Sequence, residues 1–274
     1  MIVFPNAKIN IGLNILRKRP DGYHDIESVF YPVQLRDILE ILPLTPDLND
    51  KKSHIYVSGT ETIASEENLC VKAVQLFREK QGIPDVRLHL HKKIPIGGGL
   101  GGGSSDASFT LLALNEMFGC ELKDNILKKY SAELGSDCPF FIGNRPSLVS
   151  GRGDILEDIP LNLGGYHLVL VFPGLFVDTS IAYQMIHPSE DGIPLRDVLQ
   201  LGIEKWKDRI INRFEEAVFS KYPEIGKIKE GLYSSGAVYA SMSGSGSAVY
   251  GIFHSSPRLT DDLAGFRTHI EKMI

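Results

Sequence analysis

Cysteine is scarce in this 274-residue chain: Cys70, Cys120 and Cys138 stand far apart, odd in number and without a CxxC pair. Neither a disulfide framework nor a cysteine-built metal site is expected, and a reducing cytoplasm is the simplest setting. Long apolar runs are missing too. The longest, around 168–177, is broken by Pro173 and Gly174 and falls short of the roughly 20 residues a membrane helix needs, so no membrane partner is expected. Residues 1–8 show no basic segment followed by a long apolar stretch and do not read as a signal peptide. Positive charge is in deficit: 29 Lys and Arg against 34 Asp and Glu give a formal net charge of −5. That balance argues against nucleic acid as a partner. No obligate protein partner is implied either.

Glycine, by contrast, is abundant, with 27 residues in the chain. Roughly eight of them exceed ordinary usage of about 7%. A composition that is 43% hydrophobic and 23% charged fits a soluble globular protein, and the length exceeds one hydrophobic core. Strands are expected at 37–42, 53–57, 85–91, 166–172, 237–241 and 248–253. In 85–91, Val86, Leu88 and Leu90 alternate with polar residues. Helices are expected at 68–81 with Asn68 as N-cap, from Ser105 or Asp106 to 118, and at 122–134, 201–220 and 224–234. Strands and helices mixed in two blocks predict an α+β fold with domains at 1–159 and 160–274.

The strongest local signal is the run Pro95-Ile96-Gly97-Gly98-Gly99-Leu100-Gly101-Gly102-Gly103-Ser104-Ser105-Asp106, which sets six glycines in seven positions between a strand and a helix. Residues without a Cβ let the backbone approach a ligand and turn several N–H groups to one point, and the helix start adds about half a positive charge. Both favour phosphate. The run is not a Walker A loop, because Gly103 is followed by serine and not by Lys-Ser/Thr. A protein kinase is excluded because HRD and DFG are absent. Ser104 and Ser105 offer hydroxyls to phosphate or to a metal, or serve only as caps.

Four further places carry chemistry-bearing side chains. In Pro5-Asn6-Ala7-Lys8-Ile9-Asn10, Lys8 and Asn10 project from one strand face, although a lone strand lysine is usually a solvated charge. Asp137 follows a helix end and precedes Phe140 and Phe141, the place of a turn or cap aspartate. Beside a phosphate loop, such an aspartate and lysine form the minimum for phosphoryl transfer: one takes a hydroxyl proton, the other steadies negative charge. Tyr23 and His24 follow Gly22 in a turn and offer two flat rings to a base, or simply close a hairpin. Ser243-Gly244-Ser245-Gly246-Ser247 lies between two strands, as a second phosphate-facing turn or a plain tight turn.

PNAKIN at 5–10, PIGGGLGGGSSDA at 95–107 and SGSGSA at 243–248, in that order, resemble the GHMP small-molecule kinase superfamily. The run 14–24 ending in Asp-Gly-Tyr-His, with Leu134-Gly-Ser-Asp-Cys-Pro139, is similar to its members that phosphorylate a cytidine diphosphate sugar alcohol on the route to isopentenyl diphosphate. The resemblance implies an N-terminal domain like ribosomal protein S5 domain 2 and a ferredoxin-like C-terminal domain, with ATP as co-substrate and Mg2+ beside it. It implies Lys8 and Asp137 as catalytic residues. The loop from Pro95 to Ser105 would take the ATP phosphates, with Lys92 on the nucleotide side, and Ser243, Gly244, Ser245 and Gly246 would close over them. Asn10, Tyr23, His24, Thr179 and Tyr183 would line the sugar-alcohol site. Mevalonate, homoserine and sugar kinases are the alternatives within the superfamily, and a nucleotide-binding module without catalysis is the alternative outside it.

Overall fold

The computed structural model describes residues 1–44, 54–59, 67–178, 182–183, 185–186, 188–189 and 193–274. A first sheet has the order β1 (Ile2–Val3), β4 (Ile38–Pro43), β6 (Val86–Lys92), β5 (His54–Gly59), and β5 alone runs parallel to its neighbour. Alternation decides its faces: Val86, Leu88 and Leu90 are buried, whereas His89 and His91 are exposed. On the buried side these residues share one core with Phe77, Leu111, Leu114 and Leu127. Those come from α1 (Leu69–Gln81), α2 (Gly102–Met117) and α3 (Asp124–Leu134), and Ile142 of α4 (Cys138–Gly143) joins them. Each fully buried side chain of this size contributes about 1.5–3 kcal/mol.

Asn68 caps α1 as expected, its Oδ1 accepting the Cys70 N–H at 2.9 Å. α2 departs from expectation. Its N-cap is Gly101, at φ +69°, so the helix starts at Gly102, ahead of Ser105 or Asp106. A left-handed residue at this point turns the chain into the helix, and two glycines of the run become helical.

The remaining sheets have the orders β2 (Asn6–Lys18), β3 (His24–Arg36), β7 (Ser147–Ser150), β8 (Ile155–Asp158) and β10 (Tyr239–Met242), β11 (Val249–Phe253), β9 (His167–Phe172), β12 (Arg267–Lys272). The last is wholly antiparallel and, counted from β9, has the order 2-3-1-4, the ferredoxin-like arrangement. α6 (Phe214–Lys221) and α7 (Pro223–Ser234) fill its first crossover, and a short 3-10 turn, Asp261–Leu263, stands in the second. α5 (Leu195–Leu199) precedes them. The helix expected at 201–220 is reduced to α6, because the segment before it pairs with a strand instead: Leu13 and Asn212 form a parallel bridge, with the Leu13 N–H on Ile211 O at 2.9 Å.

Compactness does not follow chain order. One unit comprises Met1–Ala7, Leu35–Ile96 and Gly101–Arg145; the other comprises Lys8–Gln34, Gly97–Leu100 and Pro146–Ile274. A single cut at 159/160 therefore does not separate them. Leu13, Ile15 and Ile26 of the β2–β3 pair bury in the same core as Val169, Val171, Ile228 and Val249, which draws the early strands into the second unit.

Candidate active site

The second unit assembles the strand lysine, part of the glycine run and the later glycine turn. Lys8 is only 3% exposed and is no solvated charge. Its Nζ donates to Asn10 Oδ1 at 2.5 Å and to the Gly99 carbonyl at 3.2 Å, and lies 4.4 Å from the centre of the Phe30 ring. The shared strand face of Lys8 and Asn10 is thus realised, with the amide orienting the amine. Asn10 is itself fixed: its Nδ2 donates to Ser28 Oγ at 2.9 Å, and Ser28 Oγ donates to Gly12 O at 2.7 Å.

Ser243 closes the cluster. Its hydroxyl donates to Gly99 O at 2.8 Å and accepts the Asn10 backbone N–H at 3.2 Å. The approach of the two turns requires glycine at 99, where φ is +72° and a Cβ would lie 2.0 Å from the Ser243 carbonyl oxygen. Ser247 N–H and Ala248 N–H reach Gly97 O and Gly98 O at 3.3 and 3.2 Å. Gly244, Ser245 and Gly246 form the tip between these contacts.

The same unit holds the two rings nominated for a base. Tyr23 is 59% exposed, with the Arg152 guanidinium 5.1 Å from its ring centre. His24 stacks on Tyr183 at 5.0 Å and 19°, and Tyr183 meets the edge of Phe214 at 4.9 Å. Burial, and then the charge of Lys18, holds the His24 imidazole below its ordinary pKa. Thr179 lies outside the described residues.

In the first unit the start of α2 sits over a buried ionic cluster. Lys92, at 4% exposure, pairs through Nζ with Asp37 and, at 2.7 Å, with Asp106. Asp37 also accepts the backbone N–H groups of Lys93 and Ile94 at 2.5 and 2.8 Å, which fixes the chain as it enters Pro95 and Ile96. Burial works against the Lys92 charge, yet the two carboxylates outweigh it and raise its pKa. Burial first, and the Asp37 charge with it, pushes Asp106 up to about 7 against the pull of Lys92. The nominated Lys92 therefore lies among carboxylates. A Cβ at Gly102 would come 3.3 Å from its Nζ, so the ammonium reaches the base of the helix start.

At that start the Ser105 hydroxyl is fully buried and has no hydrogen-bond partner, and Asp106 Oδ1 is likewise unmatched. Ser104 is half-buried, and Ser108 Oγ donates to the carbonyls of Ser104 and Cys138 at 2.9 and 2.8 Å, which ties α2 to the first residue of α4. Asp137 immediately precedes α4, is half-buried, and its side chain makes no cap bond to the helix. Its carboxylate accepts from Ser136 Oγ at 3.4 Å. Asp137 thus stands in the turn at the N-cap position, as a turn or cap aspartate would, but without a side-chain capping bond to α4. The structure thus brings Lys8, Asn10, Gly99 and Ser243 together in one unit, and Lys92, Ser105 and the Gly101–Gly103 helix start together in the other.

Asp37, Ser28 and Asn212 escaped the sequence reading. None belongs to a glycine run or a recognisable spacing, and each acts on a segment distant in sequence.

The arrangement is that of a small-molecule kinase of one superfamily. The model for the GHMP kinases N terminal domain matches residues 68–144, and that for GHMP kinases C terminal matches 199–266. The chain is 48% identical over 263 residues to the 4-diphosphocytidyl-2-C-methyl-D-erythritol kinase of Bacteroides fragilis (strain YCH46), covering 95% of this chain and 94% of that one. It is also 48% identical over 262 residues to the kinase of the same name from Bacteroides thetaiotaomicron, covering 95% of each. A crystal structure of 4-(cytidine 5'-diphospho)-2C-methyl-D-erythritol kinase superposes with a TM-score of 0.81 at 30% identity and covers 98% of both chains. The chain belongs to the GHMP kinases, in the 4-diphosphocytidyl-2-C-methyl-D-erythritol kinase family.

Proposed function

We propose that this chain transfers the γ-phosphoryl group of ATP to the 2-hydroxyl of 4-diphosphocytidyl-2-C-methyl-D-erythritol, a step of the non-mevalonate route to isopentenyl diphosphate. The observation that carries the reading is the buried Lys8, whose amine is aimed by Asn10 and by the carbonyl of Gly99 in the phosphate loop itself. A lysine so enclosed must work through hydrogen-bond and charge partners, since burying its charge for packing alone is costly.

In the proposed reaction the substrate oxygen attacks the γ-phosphorus, the bond from that phosphorus to the β–γ bridging oxygen breaks, and ADP leaves. Asp137 takes the hydroxyl proton, and Lys8 orients the hydroxyl and lowers the cost of its ionisation. Backbone N–H groups of residues 97–104, together with the dipole of the 16-residue α2, receive the phosphate charge, since the Ser105 N–H already donates to Gly101 O at 2.9 Å. Ser243, Gly244, Ser245 and Gly246 close over it. Lys92, the nucleotide-side lysine of this reading, would brace the helix start through its pairs with Asp37 and Asp106, which balance its charge.

Among the described residues no group of three or more His, Cys, Asp and Glu side chains is placed to hold a metal. A magnesium ion arriving with ATP would take most of its oxygens from phosphate and water, with the Ser104 or Ser105 hydroxyl as protein donor. The unmatched Ser105 Oγ fits that use. When bound, the ion neutralises phosphate charge.

Tyr23, His24 and Tyr183 would hold the cytosine, with Asn10 and Thr179 along the sugar-alcohol side. The His24–Tyr183 stack favours this substrate over mevalonate, homoserine or a sugar, which have no base for the rings to hold. Both substrates are small molecules, and a cytoplasmic location suits them. No helix among the described residues is long and apolar enough to cross a membrane.

ADP release with the cytidine diphosphate sugar alcohol, mevalonate and homoserine offered in turn tests the assignment. Turnover is expected with the first alone. Turnover confined to mevalonate or homoserine would replace it, and none with any of the three would leave a nucleotide-binding module.

A further inference from the structure

Asn212 lies in no glycine run, yet its amide is buried to 2% exposure at the back of the Ser243–Gly246 turn. Its Nδ2 donates to two carbonyls, Met242 O and Gly244 O, each at 2.8 Å, which are the peptide oxygens on either side of Ser243. Its Oδ1 accepts the Phe214 N–H at 3.0 Å and so anchors the side chain to the start of α6. An amide alone among short side chains offers two donors from one nitrogen with an acceptor behind them.

A residue in the first turn of that helix completes the grip. Glu215, 8% exposed, accepts the Met242 N–H at 2.8 Å and Ser241 Oγ at 3.0 Å through Oε1, while Oε2 accepts Lys229 Nζ at 2.6 Å. Met242 therefore has its N–H held by Glu215 and its carbonyl by Asn212. What is left facing away is Ser243, whose hydroxyl touches Gly99 O and the Asn10 N–H.

The backbone of residue 212 is also tied to the lysine strand: Arg213 N–H donates to Leu13 O at 2.9 Å, beside the Leu13–Asn212 bridge. One residue thus references the turn to the strand that carries Lys8 and Asn10. Small displacements of the turn would pass directly to Gly99, whose carbonyl receives both Ser243 Oγ and Lys8 Nζ.

We propose that Asn212, seconded by Glu215, is a positioning residue for ATP: it sets the Ser243–Gly246 turn at the height that holds the Gly97–Leu100 segment in its phosphate-receiving shape. This rests on the reading of both turns as phosphate-facing. Asn212→Asp keeps size and shape but sets a carboxylate against two carbonyl oxygens, so the turn is pushed away rather than drawn in.

The test compares Asn212→Asp with Gly244→Ala, which disturbs the turn directly because φ is +57° at Gly244 and a Cβ would lie 3.2 Å from Gly99 O. The readouts are KM for ATP, KM for the cytidine diphosphate sugar alcohol, and calorimetric Kd for adenylyl imidodiphosphate. In both variants KM for ATP and that Kd are expected to rise about tenfold or more, with KM for the sugar alcohol within about threefold of wild type. Should Asn212→Asp not fold, Asn212→Ser, which keeps one donor, is expected to show the same split at about threefold or more.

An effect in Gly244→Ala without one at 212 would overturn the role of Asn212 and leave the phosphate reading standing. No effect in either would overturn both. An effect at 212 without one at 244 would remove the turn as intermediary and overturn the inference too, as would an equal rise in KM for both substrates.

Discussion

Lys8 Nζ and Asn10 Oδ1 lie 2.5 Å apart on one face of β2, both side chains almost wholly buried. The residue spacing of a strand creates this pair, and the amide decides where the ammonium points. If Lys8 steadies the reacting hydroxyl, proton removal falls to another group.

That group is proposed to be Asp137, so Asp137→Asn is expected to lose about 10²- to 10⁴-fold in turnover. Binding of an ATP analogue should stay close to wild type, since the side chain is not assigned to the nucleotide. Single-turnover ADP release and calorimetry read the two quantities separately, and near-normal turnover would remove Asp137 from the chemistry.

Gly99→Ala should damage the proposed nucleotide site where the two turns approach most closely. With φ at +72° and a Cβ 2.0 Å from Ser243 O, the variant must open the contact between the two turns. Backbone strain of this kind costs about 1–3 kcal/mol. A lower melting temperature and weaker ATP binding are expected together, whereas wild-type values of both would show that the two turns separate freely.

Ring stacking makes a separate prediction for the other substrate. Tyr183→Leu removes the partner of His24 and is expected to raise KM for the cytidine diphosphate sugar alcohol by about three- to tenfold. KM for ATP should not follow. Equal changes in the two constants would argue against a base held at these rings.

Stability against pH should report Asp106. Its pKa in the folded chain, about 7, stands above the ordinary aspartate value of about 4. The folded state therefore binds the extra proton between those values, and this group's contribution to stability falls as pH rises from about 4 to about 7. Urea denaturation across that range should show a shallower fall in Asp106→Asn, provided the variant still pairs with Lys92. An unchanged slope would place the proton elsewhere.

How far these features can be read from sequence depends on range. The strand face of Lys8 and Asn10, the cap at Asn68 and the alternation through Leu90 are set by neighbours a few residues away, and the sequence displays them. The glycine run announces close backbone approach, although not that Gly101 rather than Ser105 or Asp106 would cap α2. The Asp37–Lys92–Asp106 cluster was invisible because its members come from the β3–β4 corner, a strand end and a helix, and only folding makes them adjacent. Asn212 was hidden in a segment whose apolar spacing suggests a helix, and the pairing with Leu13 overrode that spacing.

The glycines inside α2 have a thermodynamic consequence. Gly102 and Gly103 open a helix that alanine would hold more firmly, each giving up helical preference of at most about 1 kcal/mol, the value for a helix interior. The first turn is therefore the part of α2 least able to sustain itself and the part with most order to gain from an anion at its N–H groups. With ATP bound here as proposed, nucleotide occupancy and the integrity of this turn become one equilibrium, and ATP is a missing structural element as well as a reactant.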